Sequence, residues 1–231
     1  MGKQSNTKNG LAEKGSKHWM QKIANDKLCK TQLEKLLGNA PLAWISPLCS
    51  KLYKEYQLKE PDIMSKVLEL EKKDFADKFS FWPSNGPHWD AIATSVDGSI
   101  LYLFEAKSHL KEVRSKCSAT NQDSINLIKS SMYKVYEKIA GKGKGDFSSW
   151  ESPYYQLGNR LTFLYMMNQT AFPKIKEVKL VLLNIIDDKT HKLNMRVSQK
   201  AWEDHYDTIF MKMTGKKEAP KNVILLFFPV K

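Results

Sequence analysis

The chain has 231 residues, 42% hydrophobic and 11% aromatic, enough for a sizeable core and too apolar for a wholly disordered protein. Its 37 Lys and Arg against 25 Asp and Glu leave a net charge of +12, which attracts phosphate backbones or anionic membranes. Cys29, Cys49 and Cys117 form no CxxC pair and cannot close a disulfide framework, so a reducing cytoplasm is expected and a structural zinc site is not. The residues up to Lys17 hold no apolar signal region. The longest apolar runs, Leu180–Ile186 around one Asn and Val223–Phe228, are too short to span a bilayer, so no membrane partner is expected.

In chain order, residues 1–16 read as a disordered basic tail. A helix is expected from Ser16 towards Lys30, and a second from Gln32 to Leu37, capped by Thr31 and stopped by Gly38. Ser46 and Pro47 open a third, with Leu48, Leu52 and Tyr56 at helical spacing. Pro61 opens a fourth over 61–77, striped by Ile63, Val67 and Leu70. Residues 17–58 therefore form a helical extension ahead of an α/β domain over 59–231. In that domain Phe79–Trp82 is a strand candidate, and Trp89–Ser95 and Ser99–Ala106 are strands joined by a turn at Asp97-Gly98. Ile125, Ile128, Met132, Val135 and Ile139 mark a long amphipathic helix, broken by the glycines of 141–145. Tyr154–Asn168 and Ala201–Met213 read as helices, Val178–Ile186 and Val223–Phe228 as buried strands.

The chemistry concentrates at the open end of the predicted hairpin. A turn at Asp97-Gly98 sets position 90 opposite position 105, and cross-strand partners have Cβ atoms about 4.5–5.5 Å apart. Asp90 and Glu105 then repel unless a cation joins them, and a hard divalent metal is the natural one. Period-2 alternation puts Lys107 on the face of Glu105. Leu101–Phe104 make this strand apolar on both faces, hence central, where charges at the strand end are seldom decorative.

Asp…Glu-x-Lys across a hairpin resembles the PD-(D/E)xK nuclease superfamily, the restriction-endonuclease-like fold. Gly-Pro-x-Trp-Asp-Ala, Glu-Ala-Lys-x-His and Tyr155-Gln156-x-x-Asn159-Arg160-Leu161 are similar to an uncharacterised bacterial branch of it. The resemblance covers roughly residues 60–190 and implies an αβββαβ core, a mixed sheet flanked by helices. It implies Mg²⁺- or Mn²⁺-dependent hydrolysis of phosphodiesters, DNA before RNA. Asp90, Glu105 and the Ala106 carbonyl would hold the metal, and Lys107 would position water and stabilise charge. Among the acids of the helix before the motif, Glu60 and Glu71 both share the apolar face, and Glu71 is the favoured additional group. Gln156 would face the site and Arg160 would contact a phosphate. A backbone would also meet Lys111, Arg114 and Lys116 just after the motif, and Lys142 and Lys144 of the glycine loop. Many such nucleases cut duplexes as dimers, so a homodimer stays open. His88 and His109 bracket the motif without a firm zinc-ligand spacing. The rival reading is a catalytically inactive nucleic-acid-binding module on the same fold.

Overall fold

The computed structural model describes residues 10–39, 41–141 and 144–230. Its centre is the strand that the sequence makes apolar on both faces. β3, Ile100–Lys107, is buried from its second residue to its last. On one side it pairs antiparallel with β2, Ala91–Ser95, which pairs antiparallel with the edge strand β1, Leu42–Ser46. On the other side it pairs parallel with β4, Glu177–Ile186, and β4 with β5, Val223–Pro229. The result is an α/β fold on a mixed open sheet in the order β1-β2-β3-β4-β5.

Strand alternation divides the core. Ala91, Tyr102, Phe104, Ala106, Val181 and Leu183 face Trp19, Met20 and Ile23 of helix α1, Gly15–Asn25, and Leu33 of α2, Lys27–Leu36. Leu101, Leu103, Leu180 and Leu182 face the opposite layer. That layer holds α5, Gln122–Ile139, α6, Ser148–Glu151, α7, Tyr155–Asn168, and α8, Gln199–Thr214. The caps are local: Asn121 accepts from Ser124 N at 2.9 Å, and Ser198 from Ala201 N at 3.2 Å.

The hairpin turn closes with Gly98 N–H donating to Ser95 O at 2.9 Å, Gly98 taking the left-handed backbone (φ 74°) that favours glycine. Ala91 stands opposite Phe104 and Ile92 opposite Leu103, the register expected from the sequence.

The first third departs from expectation. The first helix ends at Asn25, because Asp26 accepts from Cys29 N and starts α2 five residues before Thr31. Residues 17–58 are not a purely helical extension, since β1 belongs to the sheet, with Ser46 Oγ accepting from Ile92 N at 3.1 Å. The helix expected from Pro47 is a single 3-10 turn, Cys49–Lys51, stopped by Leu52 and Tyr53 with positive φ. The stretch 61–77 breaks into α3, Pro61–Met64, and α4, Lys72–Lys78, because Glu69 between them has φ 53°. Phe79–Trp82 is a turn rather than a strand: Phe79 caps α4, and Trp82 packs edge-on against Phe163, ring centroids 5.2 Å apart. The described helices include none long and apolar enough to cross a membrane.

Gly158, inside α7, meets a contact requirement. A Cβ there would meet Met132 Cε at 2.7 Å and Trp150 O at 3.1 Å. Gly158→Ala is therefore expected to destabilise by about 1–3 kcal/mol in urea titration, despite the helix propensity it gains. Equal or higher stability would show that α5 and α6 yield freely.

Candidate active site

The open end of the hairpin is where the acids meet. Asp90 lies just before β2, its N–H donating to Phe104 O at 3.2 Å, which continues the ladder towards Glu105. Its Oδ2 accepts from Ala106 N at 2.7 Å. A strand residue points its N–H and C=O to the same edge, so the Ala106 carbonyl also lies on the Asp90 side.

Glu105 and Lys107 project to the opposite face of β3 from Ala106, towards α7, and are 4% and 9% exposed. Glu105 Oε1 ion-pairs with Lys107 Nζ, and Oε2 takes Arg160 Nε and Nη2, each at 2.7 Å. Arg160 also donates to His88 O at 2.8 Å and lies 4.5 Å from the centre of the Trp89 ring. Gln156, one turn earlier on α7, accepts from Lys107 Nζ at 3.0 Å. α7 begins here because Ser115 Oγ accepts from Gln156 N at 2.7 Å, a cap lent by the segment after β3.

Burial sets the charges. Desolvation, then the neighbouring Glu105 charge, push Asp90 up to about 7, against the pull of Lys107 and the Ala106 N–H. Burial would raise Glu105 too, but Lys107 and Arg160 outweigh it and hold its carboxyl below the ordinary range. For Lys107 the neighbouring Glu105 and Asp90 charges outweigh desolvation, so its ammonium is held more firmly than usual. A pocket of about 10 Å³, enclosed by Glu105, Lys107, Gln156, Leu182 and Tyr206 among others, has room for about one water.

The oxygen donors of Asp90, Glu105 and Ala106 suit a hard cation in kind. Asp90 is the group with charge left to compensate, since Glu105 already faces two cations.

The other expected residues scatter. Glu71 is exposed at the start of α4, and the acids that act most strongly on Asp90 are Glu105 and Glu55. The second acid that bears on Asp90, after Glu105, is Glu55, which ion-pairs with Lys17 at 3.1 Å and precedes Tyr56, whose carbonyl accepts from Trp89 N. It lies in an irregular segment with no periodicity to betray it. Arg160 is buried at the heart of the cluster, its guanidinium committed to Glu105, His88 and Trp89 rather than presented to a phosphate. Lys111, Arg114 and Lys116 are exposed on the segment that Ser115 pins to the start of α7. Lys144 lies against Gly215, beyond the end of α8, whereas Trp202 in the first turns of α8 donates to Ile185 O at the far end of β4. A 16-residue helix spans about 24 Å, so Lys144 is at the end of the sheet away from Glu105. Lys142 falls outside the described residues.

Asn184 was also passed over. It stands opposite Lys107 on β4, fully buried, with Oδ1 lacking a hydrogen-bond partner among the described residues. The one signal was its place as the lone polar residue in the apolar run 180–186.

Compared with known proteins, the chain matches no family model, no curated protein and no solved structure.

Proposed function

We propose that the chain is a metal-dependent phosphodiesterase of the PD-(D/E)xK type, acting on nucleic acid and on DNA in preference to RNA. The observation that carries this reading is the pairing of a desolvated, undercompensated Asp90 with Glu105 across two strands, with Lys107 on the same face. The element order supports it in altered form: helices, three antiparallel strands with α3 and α4 inserted between β1 and β2, helices, then the parallel strand β4. Asp90, Glu105 and the Ala106 carbonyl would hold Mg²⁺ or Mn²⁺, which supplies Lewis-acid polarisation of the phosphoryl oxygen and a more acidic water. Lys107, charged and steadied by Gln156, positions that water and offsets charge developing on the phosphate. Arg160 fixes the carboxylate plane of Glu105. Lys111, Arg114 and Lys116 draw the backbone towards the strand end.

One observation favours a second reading. Glu105 is already neutralised by Lys107 and Arg160, as a structural charge cluster in an inactive nucleic-acid-binding module would be. Cleavage of plasmid, linear duplex and single-stranded DNA with Mg²⁺ or Mn²⁺ decides between them. Wild type should cut, and Asp90→Ala and Lys107→Ala, folded by circular dichroism, should each lose about 10²-fold or more. Binding without cutting by all three gives the binding module the better account.

A further inference from the structure

Four side chains lie just beyond Lys107 that the proposed reaction does not use. His109 Nε2 is 3.2 Å from Glu112 Oε1. The two histidine rings meet nearly perpendicular, with centroids 5.1 Å apart. Taking one donor each from His109, Glu112 and His191, the three ligand atoms all lie within 4.8 Å of one another. Asp188 Oδ2 is 3.6 Å from His191 Nε2.

These spacings suit a small transition metal. Donors about 2.0–2.1 Å from a tetrahedral zinc ion are roughly 3.3 Å apart. The His109–Glu112 separation already has that value, and His191 needs a movement of an ångström or so to join it. Two imidazoles and a carboxylate are the borderline-soft set that zinc prefers to magnesium. A second observation points to a missing partner. Asp188 is fully buried, and its Oδ2 has no hydrogen-bond partner among the described residues. Leaving a buried carboxylate oxygen unpaired costs stability, and a dication beside it offsets that cost. Glu112 and Asp188 together balance its charge.

The setting is held from several sides. Ser108 donates its N–H and hydroxyl to Glu112, at 3.0 and 2.9 Å, and its hydroxyl is 2.9 Å from His191 Nε2. Asp188 Oδ1 accepts from Trp19 Nε1 at 2.8 Å and from Thr190 N at 2.9 Å, and Thr190 Oγ1 accepts from Gly15 N at 3.0 Å. A Cβ on Gly15 would approach His191 Nε2 to 3.5 Å, and Gly15 has φ 77°.

We propose that His109, Glu112 and His191, backed by the buried Asp188, bind one zinc-like transition metal. The ion fastens the segment after Lys107 to the loop between β4 and α8. This site is independent of the nuclease reading and distinct in chemistry from Asp90 and Glu105. The sequence hid it because 82 positions separate the two histidines.

Zn²⁺ titration of the full chain against a chromophoric chelator, with excess Mg²⁺ present, tests the site. One equivalent should bind. His109→Ala and His191→Gln should each weaken binding tenfold or more, while Asp90→Ala leaves it unchanged. Co²⁺ bound to wild type should show the visible bands of a low-coordinate nitrogen and oxygen site, and this reading needs no variant to fold. Zn²⁺ should also raise the melting temperature of wild type by several degrees and that of His191→Gln by much less. Absence of stoichiometric binding by wild type overturns the proposal, as does binding lost in Asp90→Ala and kept in the histidine variants.

Discussion

Arg160→Met is expected to lower stability by about 3 kcal/mol at pH 7, because it leaves a buried carboxylate with half its compensation. Glu105 is 4% exposed and takes Arg160 through two nitrogens, while Lys107 holds the other oxygen. Methionine fills much of the volume over Trp89, so the loss is chiefly electrostatic. The sign with pH follows from the lowered carboxyl. A depressed Glu105 contributes stability that is present above its unfolded value, about 4.3, and lost as pH falls through its folded value. Without Arg160 that contribution shrinks, so the gap between wild type and variant should be widest near neutrality and close below about pH 4. Adding Glu105→Gln to Arg160→Met removes the stranded charge and should recover part of the loss. Urea titrations across pH measure all of this. A variant within about 1 kcal/mol of wild type at pH 7, or a gap that ignores pH, would mean that Arg160 acts by packing alone.

What the sequence disclosed and what it hid have separate physical causes. Asp97-Gly98 fixes the hairpin register, and with it the meeting of Asp90, Glu105 and Lys107, because a short turn leaves one pairing that buries Ile92 and Leu103 together. The four-residue step from Gln156 to Arg160 likewise puts both on the α7 face that meets β3. The partnership between Arg160 and Glu105 was out of reach. A lone arginine on a helix serves a phosphate or a buried acid equally well, and only the packing of α7 on β3 chooses. β1 escaped because its five residues are too few to show a period and its partner lies about 50 positions away. Glu55 and the His109–His191 pair escaped for the same reason, since tertiary placement, not spacing, brings them to their neighbours.

The largest pH effect should come from Asp90. In the presence of chelator, Asp90→Asn is expected to be more stable than wild type at pH 8, by up to about 4 kcal/mol. The cost to wild type is that of carrying a carboxyl from its unfolded value, about 3.9, to about 7 in the folded chain. A raised carboxyl binds its proton more tightly when folded. It therefore costs nothing below about pH 4, where both states are protonated, and its penalty grows until pH passes 7. The asparagine has no such proton, and its side-chain carbonyl can still accept from Ala106 N, so the difference between the two proteins isolates one group. The gap should open between pH 4 and 7 and stay level beyond. Mg²⁺ then separates the two accounts of the site. If Asp90 and Glu105 hold a divalent ion, millimolar Mg²⁺ at pH 8 stabilises wild type and leaves Asp90→Asn nearly unmoved, so the gap narrows. In an inactive charge cluster the gap keeps its full size with or without the ion. A gap that never opens would show that the Ala106 N–H and Lys107 already compensate Asp90, and would remove the main physical reason for a metal there.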